Sequence, residues 1–200
     1  MAQRTYRWLM VTLAVVGLAA DLGSKYGVFR WLYDGTLRGE REVVPGWFKL
    51  TAEFDPSVSP CDCSWSVLQT YSAPIMPRVN HGALFGLGGE HKGFANQVFA
   101  GISFFAAVGI VVWTTRRATA VDGWLCAALG LILGGTIGNL YDRLVFNGVR
   151  DFLYFYKIEW PVFNVADCCL VCGAGMLLVH AFFTPTPVAI PTTEMTKIEK

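Results

Sequence analysis

The sequence predicts an α-helical membrane protein, a bundle of four transmembrane helices with a small outward-facing β-sheet and an interfacial helix. Hydrophobic residues make up 54% of the 200 residues and charged residues only 16%, whereas an average soluble domain carries roughly 25% charged residues. Residues 93–115, 123–141 and 168–193 contain no charged side chain. Because roughly 20 apolar residues in a helix cross a bilayer core, each stretch is long enough to span a membrane.

We expect transmembrane spans at about 94–114, 123–141 and 164–183, and a first one at about 8–28. Asp21 and Lys25 interrupt the first, so a cleaved signal peptide is the competing interpretation. The apolar pattern continues beyond Asp21 to Leu32, which favours a retained helix. Residues 1–183 then form a single membrane domain, and the Thr- and Pro-rich residues 184–200 a disordered cytoplasmic tail.

The distribution of basic residues predicts the orientation. Arg4 and Arg7 precede the first span, Arg116 and Arg117 connect the second to the third, and Lys200 ends the chain. Lys and Arg near span ends favour the cytoplasmic side, so both termini are expected inside and the loops outside, although the outer loops also contain basic residues. The net charge of +1 gives no broad attraction to nucleic acid.

The outer loops carry the remaining predicted structure. β-Branched and aromatic residues on both sides of Pro45 and Gly46 predict a short hairpin near the membrane surface. Residues 55–77 are rich in Ser, Pro and Cys and predict an irregular loop. Residues 152–160 are dense in Tyr, Phe and Trp, which favours a position along the membrane interface.

Ionisable and amide side chains converge on one end of the predicted bundle. They lie at the outer ends of the first and third spans, just beyond the third, and at the start of the fourth: Asp21, Lys25, Asn139, Asp142, Arg143, Asp151, Asn164 and Asp167. Ionisable groups at membrane depth are costly and usually functional. This convergence is the main functional signal that spacing alone provides.

Paired carboxylates suit peptide hydrolysis without a covalent intermediate. Two carboxyl groups a few ångströms apart do not both ionise easily, so one can accept a proton from water while the other donates one to a carbonyl. Amides such as Asn139 and Asn164 could stabilise the developing oxyanion. The structural alternative is that Asp21 pairs with Lys25, and Asp142 with Arg143, as simple ion pairs.

A proton-coupled membrane carrier is the alternative function, with the same carboxylates acting as a relay. A relay would need a path to the inner face. The second and third spans carry no ionisable residue at mid-membrane depth, which disfavours the carrier.

Five motifs in order resemble the lipoprotein signal peptidases, also called signal peptidase II. They are ADLGSK at 20–25, NHGALFG at 80–86, GGTIGNLYDR at 134–143, GVRDF at 148–152 and FNVAD at 163–167. Each motif is short and weak as evidence by itself. Taken together, the order of the five motifs and their depths in the membrane match the family pattern.

The resemblance implies an aspartic endopeptidase of the bacterial inner membrane, with its active site near the outer face. Such an enzyme removes the signal peptide from diacylglyceryl-modified prolipoproteins, cutting before the lipidated cysteine, as a monomer among membrane phospholipids with no metal or cofactor. The motifs assign catalysis to Asp151 and Asp167. Asp142 remains the second choice as partner of Asp167.

The resemblance also implies supporting roles. Asn80 and Gly82 would belong to an outer loop that closes over the substrate, and Asp21 and Lys25 would brace the first span. The residues expected to line the substrate groove are Gly135, Asn139, Arg143, Asn164 and Ala166.

The sequence departs from the family pattern in two places. An insertion at about 55–79 precedes the N-x-G motif, and Leu84 stands where a small residue is common. Both concern the loop over the substrate and not the two aspartates.

The remaining cysteines and glycines favour structural roles. Cys168, Cys169 and Cys172 have a C-x-x-C spacing but lie in an apolar span, so we expect packing and not a metal site. Cys61 and Cys63 leave two alternatives, a pair of free thiols or a strained disulfide. Glycines recur every fourth residue at 130, 134 and 138, which predicts close helix packing.

Overall fold

Four long helices dominate the computed structural model, which describes residues 4–82 and 92–183. Each is long and apolar enough to cross a membrane, which confirms the four predicted spans. They are α1 (Arg7–Leu32), α3 (Lys92–Thr115), α5 (Gly123–Phe146) and α6 (Val165–Phe183), and two short helices, α2 (Ser66–Ser72) and α4 (Arg117–Ala120), lie between them. The first and third spans continue past their predicted ends to Leu32 and Phe146.

Helix α5 is the centre of the bundle and packs against α1, α3 and α6. Its glycines allow α1 to approach closely, as predicted. A Cβ atom added at Gly134 would lie 2.7 Å from the carbonyl oxygen of Ala14, and one at Gly130 would lie 2.6 Å from that of Met10. Gly138, one turn further, faces the carboxyl group of Asp21.

A three-stranded antiparallel sheet lies at one end of the bundle, here called the sheet end. Strands β1 (Arg38–Val44) and β2 (Phe48–Glu53) form the predicted hairpin, with Arg38 opposite Glu53, and β2 also pairs with β3 (Leu153–Tyr154). Gly46 turns the hairpin with a φ of 76°. One face of the sheet packs on the end of α1 through Ala52, Phe54 and Phe29.

Residues 55–79 are more ordered than the sequence predicted. The expectation of an irregular loop is wrong for Ser66–Ser72, which form α2. Gln69 on this helix is buried and donates from Nε2 to the carbonyl oxygen of Val145, 2.6 Å away. A contact between residues so distant in sequence leaves no local pattern, so the sequence gives no sign of it.

The structure describes the segment predicted as an interfacial helix, but not the predicted tail or Leu84. The predicted interfacial helix is present as a single 3₁₀ turn, Tyr156–Ile158, directly after β3. The predicted disordered tail at 184–200 and the departure at Leu84 lie outside the described residues.

The cysteines divide into two groups. Cys61 and Cys63 are joined by a disulfide and are not the free thiols of the alternative interpretation. Cys126 on α5 and Cys168, Cys169 and Cys172 on α6 are free thiols. Within residues 4–82 and 92–183, no three His, Cys, Asp or Glu side chains are grouped so that they could hold a metal ion.

Candidate active site

Asp151 and Asp167 lie on either side of one buried amide at the sheet end. Asn164 donates from Nδ2 to Oδ1 of Asp151, 2.7 Å away, and its Oδ1 accepts from the main-chain nitrogen of Asp167 at 3.0 Å. Both aspartates are partly exposed, whereas Asn164 is fully buried. The structure therefore brings together the two acids that the motifs single out.

The environment of Asp151 favours its protonated form. Burial is the largest cause and the negative charge of Asp167 adds to it, so the pKa of Asp151 rises from 3.8 to about 6. Hydrogen bonds from Asn80 at 3.1 Å and from Asn164 oppose the rise without cancelling it. Asp151 is thus suited to carry a proton under mildly acidic conditions.

Two N–H donors hold the carboxyl group of Asp167. Its Oδ1 accepts from Nδ2 of Asn139 at 2.9 Å, and its Oδ2 accepts from the main-chain nitrogen of Asn164 at 3.2 Å. These two bonds, one on each oxygen, fix the orientation of the carboxyl group. Asp151 is held in the same way by Asn80 and Asn164, so amide side chains position both acids, with a main-chain donor added at Asp167.

Lys25 lies at the centre of a buried polar network behind the two acids. Its Nζ is 2.8 Å from Oδ2 of Asp21, 3.1 Å from Oδ1 of Asn139 and 3.4 Å from Oδ2 of Asp142. The Asp21–Lys25 pair expected from the sequence is confirmed, and Asp21 also accepts from the main-chain nitrogen of Ala166 at 2.9 Å. Asn139 thus joins Lys25 to Asp167.

Asp142 pairs with Arg150, and not with Arg143 as the structural alternative had it. The main-chain nitrogen of Arg150 and its Nη2 donate to the two oxygens of Asp142, at 2.9 and 2.7 Å. The side chains of Asp142, Arg150 and Lys25 are all 0% exposed. This enclosure makes Asp142 unsuitable as the water-activating partner of Asp167 that was kept as second choice.

Arg150 was missed in the sequence, although it precedes Asp151. Its guanidinium lies 3.9 Å from the ring centre of Phe146 and 4.3 Å from that of Tyr26, and its Nη1 donates to Ser72 at 3.0 Å. Helix α2 of the insertion is therefore connected to the residue beside Asp151. Only its position next to the motif aspartate could have singled out Arg150 in advance.

Of the other residues expected at the site, some lie close to the two aspartates and others lie in the contact between two helices. Arg143 lies over the ring of Phe99 at 5.5 Å and donates to the carbonyl oxygen of Asn139. Gly82, with a φ of 92°, donates to Oδ1 of Asn80 at 2.9 Å. Gly135 and Ala166 are buried against each other where α5 meets α6, so they do not line an open groove as expected.

Asn80 is held beside Asp151 by the main chain. Its nitrogen and carbonyl oxygen exchange hydrogen bonds with those of Val149, at 2.8 and 2.9 Å. The bridge between Asn80 and Val149 sets the segment after the insertion next to the segment that carries Asp151.

Comparisons with known proteins agree with this arrangement. The family model for signal peptidase (SPase) II matches residues 13–183. A lipoprotein signal peptidase of Rhodopirellula baltica is 40% identical over 188 residues, which cover 87% of this chain and 71% of that protein. Another, from Pseudoalteromonas translucida, is 42% identical over 110 residues, which cover 54% of this chain and 66% of the relative.

A solved structure has the same fold. It is described as a bacterial membrane enzyme, superposes with a TM-score of 0.67 over 93% of this chain and all of its own, and is 20% identical in sequence. Together with the family match over residues 13–183, these likenesses show that the chain belongs to the signal peptidase II family of bacterial membrane proteins.

Proposed function

We propose that this protein is an aspartic endopeptidase that removes signal peptides from diacylglyceryl-modified prolipoproteins, cutting before the lipidated cysteine. Family membership supports the peptidase activity and the lipoprotein class of substrate. The observation that carries the aspartic mechanism is the position of Asn164, which bonds Asp151 on one side and Asp167 on the other.

In the proposed mechanism, Asp167 is the base and Asp151 the acid. A water molecule between them gives a proton to Asp167 as its oxygen bonds to the carbonyl carbon, and Asp151 gives its proton to the carbonyl oxygen. The tetrahedral intermediate then collapses: the C–N bond breaks, the amine nitrogen takes the proton from Asp167, and a hydroxyl proton returns to Asp151. The raised pKa of Asp151 supports its role as the initial proton donor.

The proposed orientation has the sheet end outside and both termini in the cytoplasm. Arg7 lies at the opposite end of the bundle, where its guanidinium donates to the carbonyl oxygen of Thr115, at the end of α3. Arg116 and Arg117 follow directly. The substrate's signal helix would contact the spans within the membrane, and its lipid chains would stay among the phospholipids, so a monomer is sufficient.

Replacing each catalytic acid by its isosteric amide tests the assignment. We expect Asp151→Asn and Asp167→Asn each to lower kcat for a lipidated precursor by about 10³-fold or more in detergent micelles, because an amide neither accepts nor supplies the proton. Asp62→Asn, at an exposed position in the insertion, is the matched control and should cleave normally. Normal cleavage by Asp151→Asn would disprove the proposed pair.

The lipid requirement needs a separate comparison. The same precursor with and without the diacylglyceryl group, at equal concentration, should differ at least tenfold in kcat/KM. Equal cleavage of the two forms would contradict the proposed specificity while leaving the aspartic mechanism intact.

A further inference from the structure

A cavity of about 480 Å³ has Asp151 in its wall and lies outside the four long helices. The wall is formed by Arg38 of β1, Thr51 and Glu53 of β2, and Arg78 and Asn80 from the segment after α2. The cavity is therefore continuous with the candidate active site but is built from the sheet and the insertion.

Two exposed guanidinium groups line the cavity. Arg38 and Arg78 share the carboxylate of Glu53, with nitrogen–oxygen distances of 3.6 and 2.9 Å. Glu40 is likewise shared between Arg38 and Lys49. Lys49 and Glu40 lie outside the cavity wall, where the two guanidinium groups face Glu53 and Asp151, and Asp151 carries a proton in the proposed mechanism. The side chains of Arg38 and Arg78 are 54% and 71% exposed. A carboxylate on a ligand could bind either guanidinium.

Thr51 provides an independent sign of a ligand. The residue is only 6% exposed, and its hydroxyl has no hydrogen-bond partner within the described part of the chain. Its main-chain nitrogen donates to the carbonyl oxygen of Phe152, which places it directly beside the residue after Asp151. A buried hydroxyl without a partner is unfavourable, so a polar ligand that bonded to it would remove this cost.

We propose that this cavity binds the residues of the substrate that follow the lipidated cysteine, that it prefers an acidic side chain there, and that the Thr51 hydroxyl bonds the substrate main chain. The inference rests on the proposed function. The signal peptide before the cleaved bond is apolar and suits the spans, whereas the segment after the bond is polar and leaves the membrane. Among the groups beside Asp151, the charged wall of this cavity matches that second segment.

The charge preference can be tested with lipidated precursors that differ only by Glu, Gln or Lys at each of the three positions after the lipidated cysteine. Because exposed ion pairs are weak, we expect a two- to fivefold higher kcat/KM for Glu than for Lys at one position. Arg78→Glu should reverse this order. Arg41→Glu, with the same change of charge, is the matched control and should preserve it, because Arg41 lies over Trp31, away from the cavity.

Equal cleavage of the Glu, Gln and Lys precursors at all three positions would overturn the preference, and so would an order that Arg78→Glu leaves unchanged. Cleavage of none of the precursors would instead contradict the proposed peptidase function. The two failures are therefore distinguishable in one experiment.

Thr51 can be tested separately with Thr51→Val, which keeps the shape of the side chain and removes the hydroxyl. We expect KM to rise about two- to tenfold with kcat nearly unchanged, while the thermal unfolding midpoint stays equal or rises because an unpartnered polar group is removed. Thr51→Ser should restore KM. An unchanged KM, or a loss of kcat together with a lower unfolding midpoint, would contradict the proposed contact.

Discussion

Asn164 and Asp167 exchange hydrogen bonds in the first turn of α6. The main-chain nitrogen of Asp167 donates to Oδ1 of Asn164 at 3.0 Å, and the main-chain nitrogen of Asn164 donates to Oδ2 of Asp167 at 3.2 Å. This reciprocal pair is a capping box, which satisfies main-chain donors that the helix leaves free. One proposed catalytic acid is therefore also part of a helix cap, and the same asparagine bonds the other acid.

The two roles of Asn164 can be separated with two substitutions. Asn164→Ala should cost about 1–2 kcal/mol of unfolding free energy, because the cap is lost. It should also lower kcat about 10²-fold or more, because Asp151 loses the shorter of its two side-chain donors. Asn164→Ser keeps a capping oxygen but is too short to reach Asp151. It should recover most of the stability and little of the activity. Equal activity of the serine variant and the parent would show that the bond to Asp151 is dispensable.

The raised pKa of Asp151 predicts the pH dependence of cleavage. If Asp151 must be protonated, kcat/KM should fall as the pH rises through about 6, the value to which burial and the charge of Asp167 raise its pKa. The measurement is kcat/KM for a lipidated precursor between pH 4 and 9 in a constant detergent. A profile that rises through pH 6 to a plateau would contradict the role of Asp151 as the acid.

The same shift predicts an effect on stability. Because the folded-state pKa of about 6 is above the unfolded value of 3.8, the stabilisation from binding this proton is complete below about pH 4 and is lost as the pH rises through about 6. Asp151→Asn does not titrate. Its unfolding free energy should therefore exceed the parent's by about 3 kcal/mol more at pH 8 than at pH 3.5. A difference that is constant with pH would show that Asp151 is not perturbed.

The sequence predicted the elements that arise from local patterns. Charge-free stretches of sufficient length marked the spans, and turn residues between β-branched runs marked the hairpin at Gly46. The prediction that acids and amides meet at one end of the bundle also followed, because successive spans cross the membrane in opposite directions. The pairing of Asp21 with Lys25 also followed, because residues four apart share one face of a helix.

The partner of Asp142 could not be predicted in the same way. Asp142 and Arg143 are adjacent on α5, and adjacent helical residues do not face each other. The chain turns back after α5 through Asn147, which has a φ of 58°, and this turn brings Arg150 to Asp142. The left-handed conformation of Asn147 at the end of α5 sets the direction in which the chain continues. The sequence alone does not show that Asn147 adopts this conformation.

His180 illustrates the same limit at the opposite end of the bundle. Its Nε2 lies 2.6 Å from Oδ2 of Asp122, which also caps the start of α5 by accepting from the main-chain nitrogen of Leu125. Burial raises the pKa of Asp122, but these hydrogen bonds outweigh it and the net pKa is lowered. The 58 residues that separate the two make this contact invisible to local patterns.

The buried network predicts strong coupling between Lys25 and its partners. Lys25→Met removes the cation between Asp21 and Asp142, which are 0% exposed, and should cost about 3–5 kcal/mol of unfolding free energy. Adding Asp21→Asn to Lys25→Met should restore part of that loss, because one unpaired buried charge disappears. The four proteins of this cycle can be compared by denaturant unfolding in micelles. Additive losses in the double variant would mean that the pair is not coupled.

The contact between α1 and α5 predicts opposite effects for two glycine substitutions. Gly134→Ala places a methyl group 2.7 Å from the carbonyl oxygen of Ala14, so the helices must separate, and we expect a loss of about 1–3 kcal/mol. Gly23, on α1, has open space where its Cβ would be. Gly23→Ala should therefore be neutral or stabilise by up to about 1 kcal/mol, because alanine favours a helix. The thermal unfolding midpoints of both variants provide the measurement. Equal destabilisation by the two would show that the loss reflects glycine replacement itself and not the close approach of the helices.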